Sequence, residues 1–275
     1  MKLIERQGDV ITGDKQMEDL HTMRDFPIFM GCVNHSFEKD IKGELTWQIN
    51  KNSGVIQLKK LVPLDVLYQE QHDPGTVGSI WLDHHIKFAK FIRNFRPKAI
   101  LEIGGAHGIL SVKFGEMSEI PWTIIEPNPV PVKNCKAKFI KGFFKKDLLV
   151  DEDFDTIVHS HVLEHMYEPN EFIKNLSNAM KSGQKLVFSL PNLREMVLRK
   201  YTNALNFEHT VFLTEAYVEY LLSLHGFNVL EKEFFLDEHS IFYAAELDKS
   251  VSPKKLSADL YEVNKALYCD FLRYH

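Results

Sequence analysis

Lys98-Ala99-Ile100-Leu101-Glu102-Ile103-Gly104-Gly105-Ala106-His107-Gly108 is the stretch that decides the fold. An apolar run from Ala99 to Ile103, broken only by Glu102, gives way to a turn of small residues. An amphipathic run from Ile109 to Met117 follows. That order predicts a buried parallel strand, a glycine turn and the start of a helix, with backbone N–H groups open to a ligand. A second apolar run, Trp122 to Ile125, ends in Glu126. An acidic residue at the tip of the second strand can accept hydrogen bonds from both hydroxyls of a ribose. Strand, turn and acid together predict a nucleoside-containing cofactor.

The glycine pattern narrows which nucleoside. Dinucleotide sites use G-x-G-x-x-G, whose middle glycine lets the pyrophosphate approach the backbone. Here Ala106 stands at the middle position and Ile109 at the third, leaving E-x-G-x-x-x-G from Glu102 to Gly108. This resembles motif I of the class I S-adenosylmethionine (SAM)-dependent methyltransferases, whose cofactor carries no phosphate. The downstream sequence extends the resemblance. Asp155 to Val158 reads as a strand, followed by His159-Ser160-His161-Val162-Leu163-Glu164-His165-Met166. Pro169 opens a helical pattern through Phe172, Ile173, Leu176 and Met180 that Ser182-Gly183 stops. Lys185 to Leu190 makes another strand, ending at Pro191-Asn192. In order and content these segments resemble motifs IV to VI of the same class. They are most similar to methyltransferases encoded among bacterial sugar and surface-polysaccharide genes, including sugar C-methyltransferases.

The resemblance implies a seven-stranded mixed α/β sheet (Rossmann-like) flanked by helices over residues 64–247. Residues 1–63 read as a small β-rich cap, because short apolar runs (Phe26–Phe29, Leu45–Ile49, Val55–Leu58) are separated by glycines and prolines. Within the core, 64–95 is expected to cover the cofactor and 193–213 to form a lid. Residues 248–275 read as a linker and an amphipathic helix that either docks on the core or meets a second copy in a homodimer. The sugar C-methyltransferases carry a cysteine-rich zinc module and a further C-terminal domain. Here Cys32, Cys135 and Cys269 are scattered and form no C-x-x-C pair, so no structural zinc is expected.

Composition excludes several classes. The chain has 275 residues, 44% hydrophobic and 26% charged, and a net charge of −5. That charge lacks the basic excess of a nucleic-acid binder. No apolar run approaches the ~20 residues of a membrane span. Few cysteines and no apolar leader suit a cytoplasmic enzyme.

The cofactor residues that the resemblance implies are Tyr68, Glu102, Gly104, Gly105, Gly108, Glu126, Pro127, Phe143, Ser160 and His161, with SAM as donor and S-adenosylhomocysteine (SAH) as product. His72, Trp81 and His85 are further pocket candidates. Open α/β sheets bind ligands beyond the carboxyl ends of their strands, which favours His161, His165 and His209 among the thirteen histidines. Phe207-Glu208-His209 resembles the Y-x-E-H of the sugar C-methyltransferases, but the tyrosine position is Asn206. The departure argues against C-methylation of a keto sugar and leaves His209 as the preferred base, with Glu208 orienting it and His165 facing the acceptor. The expected acceptor is small and polar: a sugar, a nucleotide sugar or a phosphoramidate group of a capsule, methylated on oxygen. N- or C-methylation of a nucleotide sugar and a non-catalytic SAM-binding regulator stand as alternatives. His159, His161, Glu164 and His165 do not fit a metallohydrolase loop, so no metal is expected.

Overall fold

The computed structural model describes residues 3–29, 36–67, 78–144 and 153–275. Tyr68 and His72, and with them Cys32, lie outside the described residues.

The central element is a seven-stranded sheet. Its parallel part comprises β6 (Ile100–Ile103), β7 (Trp122–Glu126), β8 (Lys138–Lys141), β9 (Thr156–Ser160) and β10 (Lys185–Pro191). Two further strands, β11 (Phe227–Phe235) and β12 (Ser240–Leu247), form an antiparallel hairpin whose second strand pairs antiparallel with β10. The spatial order is β11-β12-β10-β9-β6-β7-β8. The order in which the strands are laid down therefore reverses between β6 and β9, and the crevice at their carboxyl ends is where such sheets take ligands.

Strand alternation sends side chains to two separate cores. Ile100, Trp122, Ile124, Val158, Val187, Phe242 and Ala244 pack with Phe88, Phe91 and Ile92 of α2 (Ser79–Asn94) and with Leu110 and Phe114 of α3 (Ile109–Gly115). The opposite face, with Leu101, Ile103, Ile157, Leu186, Phe188 and Tyr243, packs on α4 (Pro169–Ala179), α5 (Leu193–Leu198) and α6 (Glu215–Leu224). Pro169 begins α4, where its fixed φ and missing N–H cost nothing.

The N-terminal residues form β1 (Ile4–Glu5), β2 (Met17–Pro27), β3 (Lys42–Asn50), β4 (Ile56–Leu58) and β5 (Lys60–Leu61), in a three-stranded sheet β2-β3-β4 and a two-stranded pair β1-β5. A short α1 (Leu64–Leu67) follows. These strands do not enclose a core of their own. Trp47, Ile49, Ile56 and Leu58 share one buried cluster with Leu101, Phe188 and Tyr217.

Residues 204–213, read from the sequence as part of a lid, are the joint between the two parts. Ala204, Leu205, Phe207, Val211, Phe212 and Leu213 are buried. The Phe212 N–H donates to the Ile56 carbonyl at 2.9 Å and the Leu58 N–H to the Thr210 carbonyl at 2.9 Å. The sequence shows no strand period there because the segment makes one isolated bridge, Gln57 to Val211, rather than a ladder.

The final helix, α7 (Leu260–Tyr274), docks on its own chain. Asn264 Nδ2 donates to the Gly54 carbonyl at 3.0 Å and to the Tyr217 hydroxyl at 2.8 Å, while Tyr268 and Phe271 are buried. Among the described residues no helix is long and apolar enough to cross a membrane.

Candidate active site

The turn after β6 is shaped by close packing beneath it. Gly108 caps α3 at φ +74°, and a β-carbon there would lie 2.4 Å from Cys135 Sγ. A β-carbon on Gly105 would lie 2.8 Å from Glu102 Cδ. Glu102 therefore sits under the turn: it is buried and accepts a 2.7 Å hydrogen bond from Trp122 Nε1. Burial, opposed by that hydrogen bond and aided by the nearby Glu126 charge, pushes its pKa up to about 7. Gly104 leaves β6 at φ +72°, its N–H bonded to the Ile125 carbonyl at 2.9 Å.

Glu126 closes β7 with its carboxylate turned toward this loop. One oxygen accepts from the Ala106 N–H at 3.1 Å and the other from the Asn128 N–H at 3.0 Å. Pro127 follows directly. The Gly142 N–H bonds the Glu126 carbonyl at 3.1 Å, so Phe143, half exposed, follows β8 at the same sheet edge. Ser160 ends β9 with its hydroxyl 2.9 Å from that of Ser189.

Directly beyond Ser160 the backbone turns sharply: His161 has φ +52°, a strained conformation for a non-glycine residue. Its ring points inward. Nδ1 lies 2.9 Å from Glu164 Oε1, and Nε2 lies 3.4 Å from Ser240 Oγ. The rings of Trp81 and His84, both on α2, meet it edge-on at centroid distances of 4.8 Å and 5.0 Å. Trp81 thus packs on His161 at the edge of the crevice, and His85 is half-buried beside His84, 5.8 Å between ring centroids.

The 3-10 turn Leu163–His165 carries the next two groups. Glu164 has no exposed surface, and neither carboxylate oxygen receives a hydrogen bond of good geometry; His161 Nδ1 is its one ion-pair contact among the described residues. Burial pushes its pKa up, against the pull of His165 and His209. The His165 ring lies 5.1 Å from that of His209. His209 Nδ1 is 3.1 Å from the Ala204 carbonyl. A carbonyl only accepts, so the proton sits on Nδ1 and the Nε2 lone pair is free to bind a proton or another electrophile. Burial holds the His209 pKa below the usual imidazole value, opposed by Glu164 and the Ala204 contact. The orienting partner of Nδ1 is thus a backbone carbonyl, where Glu208 was expected. Asn206 Oδ1, at the tyrosine position of the resembling motif, accepts from the Glu208 and His209 N–H groups at 2.7 and 2.9 Å and fixes this turn.

The structure brings together His165 and His209, which lie far apart in the sequence, and adds Glu164 within reach of both. Sequence reasoning gave Glu164 no role of its own. The signal was a carboxylate placed between the apolar Val162-Leu163 and a histidine, where an unsupported charge is costly.

The histidines around this site make a stability prediction. Among the described residues the ring nitrogens of His84 and His159 lack hydrogen-bond partners, and His159 stacks on Phe188 at 4.8 Å. Burial lowers His84 strongly, with help from His161, His85 and His239; burial also takes His85 down to about 4 and, with His161, His159 to about 3. The unfolded chain protonates these groups near pH 6.5, and the folded chain does not. Stability is therefore fully present above about pH 6.5 and falls as pH drops, by up to about 1.4 kcal/mol per pH unit per histidine. Urea unfolding at pH 7.5 and 5.5 should show a clearly lower midpoint at 5.5. An unchanged midpoint would mean that these rings are hydrated in solution.

Residues 80–232 match a methyltransferase domain family, over half of the chain. The chain belongs to that family. It is a SAM-dependent methyltransferase with a Rossmann-like fold. No curated protein matches it. Solved structures similar to this methyltransferase include the 1,6-didemethyltoxoflavin-N1-methyltransferase of Burkholderia thailandensis with bound SAH, at 13% identity and TM-score 0.49, covering 62% of this chain and 81% of that one. The N-methyltransferase NodS of Bradyrhizobium japonicum WM9 with SAH matches at 17% identity and TM-score 0.48, covering 64% and 93%. Magnesium protoporphyrin IX methyltransferase (ChlM) from Synechocystis PCC 6803 matches at 16% and 0.47, covering 62% and 89%.

Proposed function

We propose that this methyltransferase transfers the SAM methyl group to an oxygen of a small polar acceptor, in the cytoplasmic decoration of a bacterial capsule or other surface glycan. The acceptor class comprises a sugar hydroxyl, a nucleotide-activated sugar and a phosphoramidate-type group. The motifs shared with surface-polysaccharide methyltransferases support the pathway, and the net charge of −5 disfavours nucleic acid. The observation that carries oxygen attack is His209: a half-buried imidazole whose Nδ1 is taken up by a carbonyl, which leaves Nε2 as the unprotonated nitrogen, beside His165.

Methyl transfer from a sulfonium releases a neutral thioether, so the leaving group needs little help. The protein has to align donor and acceptor in line, worth several kcal/mol as pre-organised geometry. A hydroxyl acceptor also has to lose its proton, and a neutral imidazole near working pH suits that step. In this reading His209 Nε2 takes the proton as the acceptor oxygen attacks the methyl carbon and the carbon–sulfur bond breaks. His165 lines the acceptor pocket. Glu208 is the adjoining residue of the same turn, its N–H held with that of His209 by Asn206 Oδ1.

The cofactor side rests on the turn from Gly104 to Gly108, with Gly105 over Glu102, and on Glu126, Pro127, Phe143, Ser160 and the His161 backbone. Tyr68 completes this set in the resemblance. Glu126→Ala should weaken SAH binding by about 1–3 kcal/mol, the range for a lost hydrogen bond to a charged group, or roughly 5–150-fold in Kd. Calorimetry with SAH checks this, with NAD as a ligand that should not bind. An unchanged SAH affinity would show that Glu126 only braces the Ala106 and Asn128 backbone. The acceptor itself is tested by incubating enzyme and SAM with sugar nucleotides and phosphorylated metabolites and detecting a methyl-group mass increase in the products. Products methylated only on nitrogen or carbon would overturn the oxygen assignment.

A further inference from the structure

The joint that carries His209 brings a third type of chemistry to the carboxyl edge of the sheet. Glu164, His165 and His209 can each offer one ligand atom such that all three atoms lie within 4.8 Å of one another. We propose that these three side chains bind a divalent transition-metal ion, with the acceptor's oxygen as an exchangeable further ligand. Metal binding here rests only on the three side chains; the acceptor's place on the metal rests on the function proposed above.

Four features support the site. Two imidazole nitrogens and one carboxylate oxygen are a donor set suited to Zn²⁺, Fe²⁺, Co²⁺ or Ni²⁺ and poorly suited to Ca²⁺. Ligating histidines usually give their other N–H to a carbonyl or carboxylate, and ligating carboxylates are themselves hydrogen-bonded. The first support is in place, with His209 Nδ1 bonding the Ala204 carbonyl at 3.1 Å; for the second, Glu164 Oε1 has the ion-pair contact to His161 Nδ1 at 2.9 Å and, among the described residues, no well-formed hydrogen bond. His161 is anchored in turn toward Ser240 at 3.4 Å.

The third feature is charge. Glu164 is wholly buried, its oxygens lack well-formed hydrogen bonds, and among the described residues no lysine or arginine pairs with it. A divalent cation at that point supplies the missing positive charge and takes up the lone pairs, where an ionised carboxylate alone is expensive to bury. The fourth is ligand count. Three protein ligands leave coordination positions open, the pattern of catalytic rather than structural sites. A hydroxyl bound there becomes more acidic and releases its proton to solvent water, so in the metal-loaded enzyme the cation takes over the activation assigned above to His209 Nε2. The metal-free expectation drawn from the sequence weighs the three scattered cysteines and the cluster of residues 159–165, and does not join His209 to that cluster.

The test is direct metal binding and needs no acceptor. The full chain, stripped with EDTA and dialysed, is titrated with Zn²⁺ by calorimetry. One site per chain is expected, with affinity lowered at least 100-fold in Glu164→Gln, His165→Ala and His209→Ala. The exposed β2 residue His21, changed to alanine, should leave it unaltered. SAH binding by each variant shows that it is folded. Co²⁺ added to the wild-type chain should give a visible ligand-field band that Zn²⁺ displaces, a readout that depends on no variant. Absence of a stoichiometric site, or a site that survives His209→Ala, overturns the metal and leaves the oxygen-methylation reading intact. A confirmed site in an enzyme that methylates only nitrogen or carbon overturns the acceptor-oxygen ligand and the proposed function, and leaves metal binding standing.

Discussion

His209→Ala is expected to lower turnover roughly 10²–10⁴-fold, the usual share of a positioned general base, while SAH affinity stays unchanged. The separation follows from placement. SAH is assigned to the turn after β6 and the tip of β7, whereas His209 arrives from the segment before α6, tied by Nδ1 to Ala204 and by its N–H to Asn206. His209→Asn should be nearly as slow, because a side-chain amide can replace the contact to Ala204 but cannot accept the proton. Single-turnover rates with saturating SAM, beside SAH calorimetry, measure both quantities. Normal turnover by both variants would mean that the acceptor is already anionic or is a basic nitrogen; the base assignment would fall and the methyltransferase assignment would remain. Parallel loss of SAH affinity would instead place His209 in the cofactor pocket.

How far this site could be read in advance depended on how local each part is. The elements proposed to hold the cofactor are legible in the sequence because they are contiguous segments. The strand, glycine turn and helix of residues 100–115 and the acid at the end of β7 form where periodicity predicts them. Glu102 shows the limit of that reading. Its position in the motif was plain, yet only the packing of Gly105 and Trp122 around it reveals that it lies beneath the turn.

The acceptor side depended on long-range packing. His165 and His209 could be nominated as residues past strand ends, but their 5.1 Å ring separation follows from the burial of Phe207, Val211 and Phe212 against the N-terminal strands. Nothing local in residues 193–213 signals that burial, because the segment pairs through scattered backbone bonds and not through a periodic strand. The same long-range packing hid Glu164, whose meaning depends on a histidine from another segment. The N-terminal residues were read as separate for a similar reason. Their short apolar runs look self-contained until Trp47 is seen packed toward Tyr268, at 6.4 Å between ring centroids, and Tyr217 donating its hydroxyl hydrogen to the Ser53 carbonyl at 2.9 Å.

Arg6→Ala is expected to destabilise the chain by about 3–5 kcal/mol, at the upper end for one substitution, and to lower turnover in the molecules that remain folded. Arg6 stands just after β1, far in sequence from any motif, yet its guanidinium is buried beside the histidine turn. Nη1 donates to the Thr210 carbonyl at 2.9 Å and to the Leu58 carbonyl at 3.3 Å; Nη2 donates to the Tyr167 carbonyl at 2.7 Å and to Thr210 Oγ1 at 3.1 Å. One side chain thus ties together β4, the residue after His209 and the chain just beyond His165. Burial lowers its pKa to about 10, opposed by Glu168, Tyr167 and Asp9, so it remains cationic at neutral pH. Removing it strands buried acceptors at roughly 1–3 kcal/mol each, less whatever water recovers by entering the gap. Arg6→Lys keeps the charge but not the fork, so it should recover only part of the loss. Urea unfolding gives the stability change, and rates measured well below the unfolding transition give the effect on turnover. A stability change under about 1 kcal/mol would show that solvent already reaches the guanidinium. Full activity in the folded Arg6→Ala chain would show that His165 and His209 keep their relation without it, and that the N-terminal strands brace the fold but not the site.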